Sequence, residues 1–576
     1  MSALSTALDS HTTRIVGWNG TAQHAWSHDE KEQIVQFFSQ VTRTDKKTVR
    51  TVMAERLENL LKTLSCHPEK SYTESNKTTN LLTVLYQMIG HTRDIVDGKG
   101  EYELSYMMIH TWHKYFPDLA KQALREFVVA HDGSHPYGSW KDLKYMCGYC
   151  YDVDGNDSNP LIAYCVEMFI QQLGSDSEML DSGETSKVSL CARWVPREKT
   201  HFGWLFKVIA ETRYSNWLDT AKTVEKRNAA RRKAYKCFRS EIARLNRALD
   251  TTQIKQCSGE YSKIDIKSVT SVTLRRQNKA LRNVDKMGNK RSDNPDRVKC
   301  AENFAAFMAK AVKGEGVVKG KRVSLIEFVK DAMAASPGDT ELLNLQWQDN
   351  AKSTSALKNV IAMVDTSGSM YGVPLYSAIG LGCRIAEKSS VGRRVLTFSH
   401  RPSWVNLDYE KKFTDMVNKL KSADWGMNTN FGAALRLILD VIVQNRLSVE
   451  DVEDMVLVVL SDMQIDNAEY GAKTMYEVIE SEYHAAGIKV HGKPYSLPHI
   501  VFWNLNTTDG SPVLSTTKNT SMMSGNSPAL LEQFCDKGVA ALRDFTPWRS
   551  LVDMLDKPRY EILKTHATNY IVYDKV

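Results

Sequence analysis

The apolar run from Val360 to Val364, ending at once in Asp365-Thr366-Ser367-Gly368-Ser369, constrains this chain more than any other stretch of its 576 residues. Consecutive apolar residues without polar alternation read as a strand covered on both faces. Beyond it stand one carboxylate and two hydroxyls on a loop. In open parallel sheets, ligands lie in the crevice at the carboxyl ends of the strands, so these oxygens sit where a site is expected. Arg394 to Phe398, Met455 to Leu460 and Ile500 to Trp503 are three further runs of the same kind. Between the runs, Ile379, Cys383 and Ala386, then Phe431, Leu435, Ile438 and Ile442, recur at helical spacing. Alternating strand and helix predicts a doubly wound, Rossmann-like α/β domain.

More oxygen donors follow at matching points. The third run leads into Ser461-Asp462, and the polar loop from Trp425 to Phe431 opens a helix and offers the Thr429 hydroxyl. Asp365, Ser367, Ser369, Thr429 and Asp462 therefore come from three loops at one edge of the predicted sheet. Asp, Ser and Thr in such positions also cap helices and make turns. With all five together, the set suits a hard divalent cation, Mg²⁺ or another such as Mn²⁺, which prefers oxygen ligands and keeps some water. These residues resemble the von Willebrand factor A domain and its metal-ion-dependent adhesion site, over roughly residues 355 to 540. In that family the first Asp and both Ser lie on the first loop, the Thr on the second and the other Asp on the third. All five positions are filled. The resemblance implies a bound Mg²⁺ with one position open to a partner's carboxylate or phosphate. One departure is Asn428-Thr429-Asn430, where Asn-Thr-Asp is expected in many relatives, and it removes a charge near the metal.

The length exceeds what one hydrophobic core supports. Three segments are expected: residues 1–75 as a helical extension, 76–350 as a helical-repeat module, and 351–576 as the A-type domain. From Asn80 to about Leu345 helical faces succeed one another, such as Leu161, Cys165, Phe169 and Leu173, and Phe304, Phe307, Met308 and Ala311. Successive helical pairs predict an α-solenoid of HEAT-like repeats, forming an arc or ring. No stretch is long and apolar enough for a membrane span, and the first residues lack the basic and apolar regions of a secretory signal. The 10 cysteines are scattered, which fits reduced thiols in a cytoplasmic or nuclear protein, or one packaged in a virion, rather than a secreted one. Cys147 and Cys150, the one close pair, read as buried thiols on a helix.

Several turns are distinctive. Arg93-Asp94 leads to Gly98-Lys99-Gly100-Glu101, read as a helix-turn-helix joint with Arg93 and Glu101 paired. Tyr137-Gly138-Ser139-Trp140-Lys141-Asp142-Leu143 reads as another joint. With Trp194-Val195-Pro196-Arg197, Leu245-Asn246, Ser461-Asp462-Met463 and Phe502-Trp503-Asn504, these resemble an uncharacterised family, domain of unknown function 2828, from about Asn80 onward. Its members occur in plants, fungi and large DNA viruses. The order of a helical module and then an A-type domain also resembles the Ro autoantigen and other TROVE proteins. That resemblance implies a ring of helical repeats that binds small noncoding and misfolded RNAs.

Net charge points the same way. Residues 222–299 hold 22 Lys plus Arg against 8 Asp plus Glu, a local charge of +14 in a chain whose total is +7. A regional excess of this kind is the footprint of a polyanion-binding surface. Arg231, Arg232, Lys233, Lys236, Arg239, Arg244 and Arg247 are expected on one long helix, with Arg275, Arg276 and Lys279 repeating the theme. Such cations neutralise phosphates with salt-sensitive affinity, and Trp217, Tyr235 and Phe238 offer rings for stacking. A solvated helix face is the plainer reading of the same residues. The expected function is a non-catalytic RNA-binding scaffold whose A-type domain recruits a partner through an acidic residue at the metal. The alternative is a metal-dependent protein-interaction or virion-assembly component without nucleic acid. An enzyme is not expected: no His, Lys or Cys accompanies the ligand loops as a base or nucleophile, and His400 and His499 stand alone. A small-molecule substrate is not expected either.

Overall fold

The computed structural model describes residues 14–16, 22–74, 76–131, 133–398, 401–423, 430–464, 475–508, 510–534 and 542–573. In chain order, helices α1 (Glu30–Gln40) and α2 (Leu81–Arg93) precede α3 (Lys141–Asp154), α4 (Pro160–Asp181), α5 (Gly203–Arg213), α6 (Val224–Ala248), α7 (Ser271–Leu281) and α8 (Leu325–Ala334). Strand β1 (Val360–Asp365), helix α9 (Val373–Lys388), strands β2 (Arg394–Phe398) and β3 (Ser403–Asn406), and helix α10 (Phe431–Gln444) follow. Strand β4 (Val456–Ser461), helix α11 (Met475–His491) and strands β5 (His499–Asn504) and β6 (Thr520–Ser524) complete the sheet region. The four runs singled out in the sequence are β1, β2, β4 and β5, each within a residue or so of its expected bounds.

The chain divides into two compact units that do not follow its order. One comprises residues 1–92, 96–104 and 311–576; the other comprises residues 93–95 and 105–310. The segment expected as a separate N-terminal extension, and the first part of the expected helical module, thus share a unit with the sheet.

The sheet has the order β6-β5-β4-β1-β2-β3. All pairs are parallel except the edge pair β2 with β3, which is antiparallel. Every residue of β1, β4, β5 and β6 is buried, because helices cover both faces. Helix α9 lies close on β1. A Cβ on Gly382 would stand 2.8 Å from Val364 Cγ2, so only glycine permits this approach. Helix α8 packs on the other side of α9, with Gly380 facing Leu325.

Helix α1 packs against β6 and β5. Asp29 caps its first turn by accepting from Glu32 N at 2.9 Å. At its far end Lys99 lies fully inside and donates to Phe38 O at 3.0 Å, Val41 O at 2.9 Å and Ser524 Oγ at 2.6 Å. A cation bonded to the last carbonyls of a helix complements its dipole. Lys99 is therefore a structural tie, which explains the charged residue between Gly98 and Gly100.

The other unit is helical among its described residues. Helix α4, capped by Asn159 with Pro160 in its first turn, packs against α3, α5 and α6. Burial of Ala234, Phe238, Ile242 and Leu245 on one stripe of α6 leaves its charged face outward. Cys147 and Cys150 are both buried on α3 as free thiols.

The expected pairing of Arg93 with Glu101 is not formed. Arg93 is bidentate to Asp142, with Nε to Oδ1 and Nη2 to Oδ2 both 2.8 Å. Asp142 also accepts from Tyr106 Oη and from Ser139 N at 2.8 Å. Glu101 instead accepts from Arg43 Nε at 3.0 Å. A Cβ on Gly138 would meet Asp142 Oδ2 at 2.4 Å, so the Tyr137-Gly138-Ser139-Trp140 turn is shaped around this ion pair. Sequence proximity misled because the planar guanidinium finds its two-oxygen partner 49 residues away.

Candidate metal centre

Strand order explains where the carboxylates meet. From β1 the chain runs outward through β2 to β3, then returns to place β4 on the other side of β1. The direction of winding therefore reverses between β1 and β4, which opens a crevice at their carboxyl ends. Val364 pairs with Leu460, so Asp365 and Ser461 leave the sheet side by side.

Four of the five proposed ligands are described, and they share this crevice. Asp365 Oδ2 accepts from Ser461 Oγ at 2.6 Å, and its Oδ1 accepts from Ser367 N at 2.9 Å. Ser367 Oγ lies 3.1 Å from Ser369 Oγ. The Ser369 hydroxyl hydrogen-bonds to the Asp462 carboxylate, which also accepts from Gln464 N at 3.1 Å. Thr429, with Asn428, lies outside the described residues. Asn430 is described and spends its amide oxygen on the first turn of α10, accepting from Ala433 N at 3.0 Å. Ser461, outside the five expected ligands, joins the cluster through Asp365; a hydroxyl one residue before a strand-end carboxylate is the sequence signal for its role.

Electrostatics single out the cluster. Asp365 and Asp462 are 0% and 1% exposed, while Gly368 and Ser369 are exposed and form the mouth. Burial, with the Asp462 charge adding to it, pushes the Asp365 carboxyl up to about 7. Burial also raises Asp462. No cationic side chain pairs with either among the described residues. Met463, next in sequence, holds a left-handed backbone at φ 61°, with its N–H donating to Ser461 Oγ at 3.1 Å. Such a conformation is uncommon for a residue other than glycine and clusters at functional sites.

Two carboxylates and two hydroxyls, all oxygen and short of positive charge, fit a hard divalent cation. No group of three or more His, Cys, Asp and Glu gathers among the described residues, so a cation held here would depend on the serine hydroxyls as well as the two carboxylates. His499 begins β5, at the opposite edge from the crevice, and bonds to Asn519 and Ser521. His400 lies outside the described residues.

The expected basic helix is α6. Arg231, Arg232, Lys233, Lys236, Arg239, Arg244 and Arg247 are all exposed on it, but they are not equivalent. Arg231 pairs with Glu211, Arg239 with Glu198 and Arg244 with Asp181. Lys233 Nζ lies 4.2 Å from the Trp217 ring centroid. Arg232, Lys236 and Arg247 have no acidic partner among the described residues. On α7, Arg275 is half-buried and Arg276 and Lys279 exposed, with Lys279 Nζ reaching Lys286 O at 3.4 Å. Phe238 is buried against Phe206, with centroids 5.2 Å apart, and is core rather than a stacking platform. Tyr235 hydrogen-bonds to Glu211.

Residues 156–357 match the family model described as domain of unknown function DUF2828, and residues 359–558 match that of a second, DUF7788. The resemblance to the first family, expected from about Asn80 onward, thus holds over residues 156–357, which include Trp194-Val195-Pro196-Arg197 and Leu245-Asn246, and the sheet region with Ser461-Asp462-Met463 and Phe502-Trp503-Asn504 matches a model of its own. An uncharacterized protein of Acanthamoeba polyphaga mimivirus is 27% identical over 503 residues, covering 84% of this chain and 80% of that protein. No helix among the described residues is long and apolar enough to cross a membrane.

Proposed function

We propose that this chain, pairing the two uncharacterised domains in tandem, is a non-catalytic RNA-binding scaffold with a metal-dependent docking site. The sheet region acts as a von Willebrand factor A-like domain, and the helical region as a Ro-like solenoid. Asp365, Ser367, Ser369 and Asp462, joined by Thr429, hold Mg²⁺ or Mn²⁺. The cation supplies an open coordination position for an acidic group of a protein partner. The chain's own residues shape that position: Ser461 and the Ser367 amide orient Asp365, and Ser369 stands at the mouth.

One observation carries this reading: two buried carboxylates at the switch point of the sheet with no cationic side chain paired to either among the described residues. A resident divalent ion would balance that charge. The RNA half rests on the unpaired Arg232, Lys236 and Arg247 of α6 and on the regional charge of +14. The relative in a virus accords with a cytoplasmic or virion-associated role. Full-length protein stripped with EDTA and titrated with Mn²⁺ in a calorimeter should bind one equivalent, and Asp365→Ala should bind none. Equal binding by both proteins rejects the docking site. Absence of any salt-dependent shift of RNA at low ionic strength rejects the scaffold.

A further inference from the structure

A second surface on the helical unit has the chemistry of a single-strand platform, and none of the basic residues weighed above contributes to it. It joins the outer face of α3 to the segment carrying Trp194, Pro196 and Arg197. Lys144 Nζ lies 4.7 Å from the Tyr145 ring centroid and 5.4 Å from those of both Trp194 and Phe202. The Arg193 guanidinium lies 5.7 Å from the Trp194 ring. Tyr145 is 42% exposed, and Trp194 and Phe202 are half-buried.

Among the described residues these cations lack counter-charges. The charged groups acting on Lys144 are Lys141 and Arg197, both of its own sign. Partial burial first, and then these like charges, hold Lys144 below the usual lysine range, and burial alone lowers Arg193. Among the described residues no carboxylate pairs with Lys144 or Arg193. Glu198, close in sequence, pairs with Arg239 instead. The floor is fitted: a Cβ on Gly148 would meet Phe202 Cε1 at 2.6 Å, and one on Gly203 would meet Glu198 O at 2.2 Å. An exposed tyrosine and two half-buried rings beside cations that have no carboxylate partner among the described residues suit a strand whose bases stack while its phosphates take the charges. A protein partner would be expected to need hydrogen-bonding carboxylates at fixed points, and the rings would be idle. A duplex hides its base faces.

We propose that Lys144, Tyr145, Arg193 and Trp194 form a binding platform for single-stranded RNA, with one base stacked on Tyr145 and phosphates held by Lys144 and Arg193. This deepens the RNA reading above and rests on it. Full-length protein is titrated against a fluorescein-labelled 12-nucleotide oligouridylate, followed by anisotropy at several KCl concentrations. Tyr145→Ala should weaken binding about tenfold, as expected for losing one stacked base. Lys144→Gln should lower the slope of log K against log salt by about 0.7. Zero-length ultraviolet crosslinking of unsubstituted protein should yield adducts on the peptides containing Tyr145 or Trp194. If unsubstituted protein binds but both variants match it, or the adducts map only to α6, the platform is overturned and the RNA reading stands. If unsubstituted protein does not bind, both fail.

Discussion

Asp142 and Asp365 are both carboxylates with 0% exposure, and their surroundings are opposites. Asp142 receives two bonds from Arg93, one from Tyr106 and one from the Ser139 amide. Asp365 receives a hydroxyl and an amide, and the charge that acts on it is that of Asp462, of the same sign. A buried carboxylate with a matched guanidinium is a joint within the fold. One with only neutral donors and a like charge beside it, among the described residues, carries an uncompensated charge that the proposed cation would balance. The same distinction separates the cations of α6, where Arg231, Arg239 and Arg244 face acids while Arg232, Lys236 and Arg247 face water.

The largest effect should come from breaking the satisfied member. Asp142→Ala strands the Arg93 guanidinium inside the helical unit and should cost about 3–5 kcal/mol, read as a lowered urea midpoint. A loss under about 1 kcal/mol would mean that Arg93 finds water on its own.

His499 tests the contrast with the opposite sign. It is 1% exposed and held neutral by burial down to about 4. An unfolded histidine takes up its proton near 6.5, so between roughly 6.5 and 4 the unfolded chain binds more protons and stability falls as pH falls. The loss from this group reaches at most about 3 kcal/mol. His499→Gln, which keeps hydrogen-bonding groups toward Asn519 and Ser521, should flatten the melting temperature across that window.

For Asp365 the direction reverses. Burial pushes its carboxyl up to about 7 when no cation balances it, so above that pH an uncompensated charge opposes folding. Asp365→Asn should leave the melting temperature of EDTA-treated protein at pH 8 unchanged or higher. It should also abolish the rise on adding Mg²⁺, a gain of about 2.7 kcal/mol at a hundredfold excess over the dissociation constant. A destabilised metal-free variant would make Asp365 another joint like Asp142.

The smallest effects belong to α6. Replacing Arg231, Arg239 and Arg244 by Gln should cost about 0.2–1 kcal/mol for each ion pair. Replacing Arg232, Lys236 and Arg247 should leave stability alone and lower the salt slope of RNA binding by about 0.7 per charge. Equal slopes for both triple variants would remove the distinction between paired and unpaired cations.

These contrasts were unequally legible in the chain. Strands β1, β2, β4 and β5 announced themselves because burial on both faces demands uninterrupted apolar residues. Strand β6, Thr520-Ser521-Met522-Met523-Ser524, did not: its hydroxyls are inside, Ser521 bonded to His499 and Ser524 to the end of α1. Asp365 and Asp462 were legible because a strand end fixes where the next residues emerge. The partner of Arg93, the burial of Lys99 and the union of residues 1–92 with the sheet were not. Each depends on which faces meet across hundreds of residues, and periodicity reports only that a face exists. The Lys144 platform was hidden for the same reason, since Tyr145 and Phe202 meet only when α3 and the segment after Trp194 are packed.

That union sets a timetable for biosynthesis. Helix α1 leaves the ribosome some 480 residues before β6, the strand it must cover. At about 5–20 residues per second, that is a wait of tens of seconds or more. Residues 105–310, inserted between the halves, can finish first, while the apolar side of α1 stands bare. The interval is when a nascent chain of this kind is most open to capture by a chaperone or by another copy of itself.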